Sequence, residues 1–174
     1  MMIGIIGYGV VGKAAANTFS NKFNLVIYDK YLEQDKFENL AKCDFVFIMV
    51  PTPFDCQMNI VDDNAIKDSL ENLSKINYEK TVIIKSTVPP GTCKKYSELY
   101  DFEIVFNPEF LRESTTPNED FANQDVVVIG TDKSQVFEKV KSMYKQVTIP
   151  GANFYHTSLE EAEMIKCAQN TMLA

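Results

Sequence analysis

The feature of this sequence that most constrains its fold is the alternation of short apolar runs with segments of helical spacing. Six runs rich in Val, Ile and Phe have the character of strands buried on both faces. They are Met2–Ile6, Leu25–Tyr28, Phe45–Val50, Thr81–Lys85, Glu103–Phe106 and Val126–Ile129. Helices are predicted between most of them, at Lys13–Ser20, Glu33–Ala41, Asn64–Ile76, Cys93–Leu99 and Ser134–Gln146. Such alternation predicts an α/β fold, a doubly wound and mainly parallel six-stranded sheet with helices on both faces.

A last helix is predicted from Ser158 to Ala174. Ser158 and Glu161 fit a capping box, in which each side chain bonds the backbone amide of the other residue. The 174 residues are a usual length for one domain, and no linker rich in Pro, Gly or Ser divides them. We therefore expect one domain over residues 1–157 and a helix over residues 158–174. The sequence remains typical of a helix up to the last of these residues.

Composition excludes several classes of protein. The chain is 45% hydrophobic and 24% charged, with a formal net charge of −7, as in soluble globular proteins. This acidity argues against nucleic acid or an anionic membrane surface as a partner. No run approaches the ~20 apolar residues of a membrane span, and the first residues lack the features of a signal peptide. We expect a cytoplasmic protein without a membrane anchor.

The cysteines do not form a recognisable metal or disulfide pattern. Cys43, Cys56, Cys93 and Cys167 include no C-x-x-C pair, and His156 is the single histidine. We expect reduced thiols and no metal site.

A glycine-rich turn follows the first strand directly. Gly7, Gly9 and Gly12 form a G-x-G-x-x-G pattern that opens a helix. In a dinucleotide-binding turn the first glycine permits the tight turn, the second admits a pyrophosphate, and the third lets helix pack on strand. A phosphate would lie at the helix N-terminus, where unpaired amides and the helix dipole favour an anion.

An acidic residue at the end of the second strand strengthens this interpretation. Asp29 lies about 20 residues beyond the glycines, where a carboxylate accepts hydrogen bonds from the adenosine ribose and repels a 2′-phosphate. The alternative is a plain strand-to-helix turn with Asp29 as a solvated loop residue. The order of strand, glycines, helix and acid favours a Rossmann-type domain that binds NAD, although the neighbouring Lys30 is a modest argument for NADP.

Three later loops are candidate walls of the same site, because ligands of doubly wound sheets lie at the carboxyl ends of strands. Val50–Pro53, Lys85–Thr92 and Asn107–Ser114 each combine proline with hydroxyl or carboxylate side chains. Proline and hydroxyl residues also commonly end strands without binding a ligand. For any single loop, this explanation is as good as a ligand-binding role. On the last helix, Lys166 and Asn170 share one face, with Glu163 one turn earlier, a pattern more often seen on solvated surfaces.

Taken together, these segments resemble the UDP-glucose/GDP-mannose dehydrogenase family, most closely its UDP-glucose 6-dehydrogenases. The resemblance spans the whole chain but only the N-terminal, NAD-binding part of such enzymes. The matching segments are Gly4–Gly12, Val50–Pro53, Lys85–Pro89, Asn107–Glu113 and Ala162–Lys166 with Asn170. These enzymes oxidise the C6 alcohol of a nucleotide sugar to a carboxylate through an aldehyde-level and a thioester intermediate, with NAD⁺ as the oxidant.

The resemblance implies roles for individual residues. Thr87 would lie near the nicotinamide and the catalytic water, and Glu109 would contact the substrate. Glu113 would help to activate water, Lys166 would stabilise oxyanion charge, and Asn170 would hold the sugar or support that charge. The residues implied to contact NAD are Gly7, Gly9, Val11, Gly12, Asp29, Thr52, Thr87 and Glu113.

The chain also departs from the family pattern. None of the four cysteines has the family's nucleophile context, and the central and UDP-binding domains would follow the helix of residues 158–174. We therefore expect this chain alone to bind NAD⁺ without turning over UDP-glucose. A GDP-mannose dehydrogenase half and a non-catalytic NAD-binding module remain alternatives. The chain could be a monomer, or a homodimer that covers the apolar side chains Leu159, Ala162, Ile165 and Met172.

Overall fold

The structure, a computed structural model, describes residues 1–112 and 114–173. The strands within these residues are β1 Met2–Ile6, β2 Asn24–Tyr28, β3 Phe45–Ile48, β4 Phe54–Asp55, β5 Ile60–Val61, β6 Thr81–Ile84, β7 Glu103–Phe106, β8 Val126–Gly130 and β9 Asn153–Thr157. The helices are α1 Val10–Phe19, α2 Asn64–Lys75, α3 Thr92–Ser97, α4 Pro117–Ala122, α5 Ser134–Tyr144 and α6 Leu159–Leu173, with a 3₁₀ helix at Phe37–Lys42.

In the described part of the chain, seven strands form the main sheet in the order β2-β1-β3-β6-β7-β8-β9. The first five of these run parallel to one another. β8 is antiparallel to β7, and β9 is parallel to β8. Because the strand order reverses at β1, a crevice opens between the connections that follow β1 and β3, at the carboxyl ends of these strands.

Apolar side chains cover both faces of this sheet. Along β3, Phe45 and Phe47 belong to one core cluster, whereas Val46 and Ile48 belong to the other. Helices α1, α4 and α5 pack on the first face, and α2, α3 and α6 pack on the second. Residues buried on both faces explain why each strand appears in the sequence as a continuous apolar run. The predicted doubly wound α/β fold with a C-terminal helix is confirmed.

The seventh strand, β9, was not predicted. Within the described residues it lies at the edge of the sheet and pairs with β8 alone, and each of its five residues is exposed or partly exposed. Tyr155, for example, is 52% exposed. An edge strand of this kind carries no continuous apolar run, which is the signal that identified the other six.

The helix predicted over Glu33–Ala41 is wrong. The Asp35 carboxylate accepts a hydrogen bond from the Ile27 amide (2.8 Å), and the Asp35 amide donates to the Ile27 carbonyl (2.9 Å). These bonds hold the segment against β2, and only the 3₁₀ helix Phe37–Lys42 follows. Helix α4 and the β4–β5 hairpin were also absent from the prediction.

The capping box at the start of α6 is confirmed. Ser158 N donates to Glu161 Oε2 (2.9 Å), and Glu161 N donates to Ser158 Oγ (3.2 Å). The chain itself covers part of the apolar face of this helix, since Leu159 and Ala162 are buried. Among the helices that the structure describes, none is both long and apolar enough to cross a bilayer.

Candidate functional site

A large cleft of about 820 Å³ lies at the carboxyl ends of β1, β2, β3 and β6. Its walls are the glycine turn, the loops after β2, β3 and β6, and the first turns of α2. Its volume falls within the roughly 300–1,000 Å³ that small-molecule and cofactor sites occupy. The cleft lies at the reversal of strand order, where doubly wound sheets hold their ligands.

The three glycines of the turn have different surroundings. Gly7 has a positive φ of 95°, and a Cβ there would lie 2.3 Å from the Met49 carbonyl oxygen. A Cβ on Gly12 would lie 2.1 Å from the Gly7 carbonyl oxygen, so this residue allows α1 to pack on β1. A Cβ on Gly9 would meet nothing within 4 Å. Gly9 lines the cleft, so the space beside its Cα is open to a ligand.

The N-terminus of α1 points into this open space. Gly9 is the N-cap residue, and no side chain caps it. The first amides of a helix have no partner within the helix, and together with the helix dipole they favour an anion. Val11, in the first turn, lines the cleft. The residues therefore fit the pyrophosphate of a dinucleotide.

The Asp29 carboxylate lines the same cleft at the end of β2. Its Oδ2 accepts a hydrogen bond from the Tyr8 amide (2.7 Å), and its Oδ1 accepts one from the Tyr31 amide (2.9 Å). These bonds orient the carboxylate beside the glycine turn and leave further lone pairs on both oxygens. Asp29 is thus positioned to accept hydrogen bonds from ribose hydroxyls.

Lys30 turns towards the opposite wall. Its Nζ lies 3.8 Å from Asp68 Oδ2 on α2, and both side chains are more than half exposed. An exposed pair of this kind contributes little stability. Its effect is to draw the lysine towards α2 and away from Asp29.

Hydroxyl side chains connect the loops after β3 and β6. Ser86 Oγ accepts from Val50 N (2.9 Å) and donates to Val50 O (2.7 Å), and Thr52 Oγ1 donates to Thr87 O (2.7 Å). Thr52 and Thr87 both line the cleft, as predicted. Ser86, which the sequence analysis did not select, holds the two loops together.

At the other end of the cleft, Glu109 and Lys166 form a buried ion pair. Lys166 Nζ lies 3.0 Å from Glu109 Oε1 and donates to the Glu109 carbonyl oxygen (2.7 Å). The two side chains are only 10% and 7% exposed. Glu109 lines the cleft, and Lys166 on α6 contacts this lining residue from behind. A buried ammonium beside a carboxylate can stabilise negative charge on a substrate oxygen.

The sequence analysis missed Lys85, a second buried lysine at this end of the cleft. It follows β6, is 2% exposed, and donates to Asn107 Oδ1 (2.9 Å) and to Asn107 O (3.3 Å). Burial lowers the pKa of Lys85 to about 7, an effect that Glu109 partly opposes. The sequence signal that could have identified Lys85 is its position directly after an apolar strand.

Glu163 is buried, and it connects α6 to α3. Its Oε2 accepts from Gly91 N (2.6 Å), and its Oε1 accepts from Cys93 N (2.7 Å). Burial raises the pKa of this carboxyl group. The interpretation of this helix face as solvated is therefore wrong for Glu163 and Lys166, whereas Asn170 is exposed. Glu113, predicted to bind cofactor and to act in catalysis, lies outside the described residues.

Fold and cleft together define a dinucleotide-binding Rossmann domain, in which the glycine turn, Asp29 and Glu109 line one crevice. The sequence profile of the UDP-glucose/GDP-mannose dehydrogenase family, NAD binding domain, matches residues 28–148. The chain belongs to this family, and its cofactor is NAD.

Individual relatives agree with this assignment. The chain is 35% identical to a UDP-glucose 6-dehydrogenase of Rickettsia typhi, over 88% of this chain and 40% of that protein. It is 32% identical to one of Campylobacter jejuni, over 100% of this chain and 53% of that protein. A solved UDP-glucose dehydrogenase from Pyrobaculum islandicum superposes with a TM-score of 0.85 at 25% identity, over 99% of this chain and 49% of that one. The chain thus spans about half the length of these relatives.

Proposed function

We propose that the chain is the NAD-binding half of an oxidoreductase that oxidises the C6 alcohol of a nucleotide sugar to a carboxylate, with UDP-glucose as substrate and UDP-glucuronate as product. One observation carries this proposal. A single cleft joins the glycine turn and Asp29 at one end to Glu109 at the other, and Glu109 is held there by its buried ion pair with Lys166. The relatives at 32–35% identity are UDP-glucose 6-dehydrogenases, which supports this sugar over GDP-mannose.

In this proposal the cofactor is held mainly by backbone. The first amides of α1 bind the pyrophosphate beside Gly9, and Gly7 and Gly12 keep the turn tight enough for that approach. Asp29 accepts hydrogen bonds from the adenosine ribose hydroxyls. The remaining contacts to NAD come from Val11, Thr52, Thr87 and Glu113.

The opposite end of the cleft would bind the substrate and act on it. Hydride acceptance is the chemistry that the nicotinamide supplies when bound. Glu109 contacts the sugar, and Lys166 stabilises negative charge on the substrate oxygen. Thr87 and Glu113 act on the attacking water, and Asn170 holds the sugar.

Residues 1–157 form the cofactor domain in this proposal, and α6 leads on towards the substrate-binding part. A homodimer is the proposed assembly. It is supported by the exposure of Met164 (55%) and Met172 (86%) on α6, because apolar side chains on one helix favour a partner surface.

The test is a chimera in which Ala174 is followed by the remaining part of the Campylobacter jejuni relative. We expect NADH absorbance to rise with UDP-glucose and to rise far less with GDP-mannose. The chain alone should bind NAD⁺ and show no steady turnover with either sugar. Lys166→Met in the chimera should lower turnover while NAD⁺ binding persists. A folded chimera that binds NAD⁺ without turnover would favour a non-catalytic NAD-binding module, and a chain that binds no NAD⁺ would contradict the proposal.

A further inference from the structure

Lys85 occupies an unusual position for a charged residue. It lines the cleft at the end opposite Asp29, yet only 2% of its surface is exposed. Both of its hydrogen-bond acceptors belong to Asn107 and are neutral oxygens. Among the described residues, no carboxylate lies within ion-pair distance of its Nζ. Because both acceptors are neutral and water is excluded, the positive charge of this ammonium is only weakly compensated.

The neutral acceptors are held in place by their own contacts. Asn107 Nδ2 donates to the Val128 carbonyl oxygen (2.6 Å), which turns the amide oxygen towards Lys85. The Tyr144 hydroxyl also donates to this amide oxygen. Burial raises the pKa of Tyr144, so this hydroxyl stays neutral near pH 7. The groups around the Lys85 ammonium are therefore neutral, namely the two Asn107 oxygens and the Phe121 ring, whose centroid lies 5.5 Å from Nζ.

Among residues 1–112 and 114–173, the charged groups that act on Lys85 are Glu109 and Lys166, and these two neutralise each other through their own ion pair. The group of three therefore carries about one positive charge when Lys85 is protonated and none when it is not. Burial, the dominant cause, brings the pKa of Lys85 to about 7. The charge at this end of the cleft thus changes near neutral pH.

The two ends of the cleft would receive different parts of the cofactor. Asp29 is suited to the adenosine ribose and the α1 N-terminus to the pyrophosphate, so the nicotinamide lies towards Lys85, Thr87 and Glu109. The oxidised nicotinamide ring carries a positive charge, and the reduced ring carries none. The remainder of the cofactor is the same in both forms.

We propose that Lys85 discriminates between the two oxidation states of the cofactor, because its buried ammonium disfavours the cationic nicotinamide ring of NAD⁺ relative to the neutral ring of NADH, and that NAD⁺ binding displaces a proton from it to solvent. The inference rests on the proposed function, since it requires that this cleft binds NAD. Below about pH 7 the protonated lysine opposes NAD⁺, and above that pH the opposition is lost. The affinity for NAD⁺ relative to the affinity for NADH therefore rises with pH.

The test measures the dissociation constants of the 174-residue chain for NAD⁺ and NADH by calorimetry, from about pH 6 to about pH 9. We expect the ratio of the NAD⁺ constant to the NADH constant to fall about tenfold across this range. In Lys85→Met the ratio should be low and independent of pH. Lys30→Met is the matched control, because it removes a lysine at the adenosine end, where both forms are identical, and it should keep the pH dependence.

A second measurement detects the proton itself. Near pH 7, NAD⁺ binding should release more protons than NADH binding, so the change in binding enthalpy between two buffers of different ionisation enthalpy should differ between the two forms. This experiment needs only the unmodified chain, so it tests the proposed proton release even if Lys85→Met does not fold. A ratio that is flat with pH, or that has the same slope in Lys85→Met, would overturn the inference alone. Failure to bind either form would overturn the proposed function and the inference with it.

Discussion

The two ends of the cleft are built in different ways. At the adenosine end the contacting groups are mostly backbone, namely the Gly7–Gly12 turn and the first amides of α1, with Asp29 as the main side chain. At the other end the contacts are between side chains that lie far apart in sequence, since Glu109 and Lys166 are separated by 57 positions. The first end depends on local backbone conformation, and the second depends on the packing of α6 against the sheet.

Burial differs between the ends as well. Lys30, at the end that we propose for the adenosine, is 67% exposed, whereas Lys85 and Lys166 are almost fully buried. Charge in an exposed place is screened by water, but a buried charge depends on its partner. Substitutions of the buried charges at the second end should therefore affect stability, whereas substitutions of cleft-facing residues at the first end, such as Gly9 and Asp29, should mainly affect cofactor binding.

The largest effect should come from Lys166→Met. This change leaves the buried Glu109 carboxylate without its partner, which costs about 3–5 kcal/mol of unfolding free energy. Glu109→Gln in the same chain should recover part of this loss. The measurement is urea unfolding followed by circular dichroism.

Lys133→Met is a suitable control for that experiment. Lys133 Nζ lies 2.6 Å from Glu103 Oε1, a shorter distance than in the buried pair, but its side chain is 63% exposed. Its loss should cost less than about 1 kcal/mol. Equal losses in the two variants would show that burial does not distinguish the two ends.

The next largest effect should come from Gly9→Val. Its side chain would enter the open space of the cleft without meeting protein atoms, so it should weaken NAD⁺ binding at least about 100-fold, or about 2.7 kcal/mol, with little change in unfolding free energy. Gly12→Ala should instead destabilise the fold by roughly 1–3 kcal/mol, because its Cβ meets the Gly7 carbonyl oxygen. Calorimetric titration and urea unfolding of both variants measure this contrast. Unchanged NAD⁺ binding by Gly9→Val would mean that the turn is only structural.

The same contrast explains what could be predicted from the sequence. Buried strands and the glycine turn leave local signals, so the parallel sheet, the turn and Asp29 were all identified from residue order. Glu163, by contrast, looked like part of a solvated helix face, because its two partners, the amides of Gly91 and Cys93, lie some 70 residues earlier in the chain. Lys85 was overlooked because its burial depends on Asn107 and Tyr144, which only the tertiary fold brings to it.

The smallest of these effects, and the most direct test of the account, is the choice between NAD⁺ and NADP⁺. Asp29 beside the glycine turn should accept hydrogen bonds from the ribose hydroxyls and repel a 2′-phosphate. Calorimetric titration of the chain should therefore show NAD⁺ binding at least about tenfold tighter than NADP⁺, or about 1.4 kcal/mol. Asp29→Asn, which keeps an acceptor for the Tyr8 amide but loses the charge, should reduce this preference. Equal affinities in the unmodified chain, or tighter binding of NADP⁺, would contradict the assignment of the cleft.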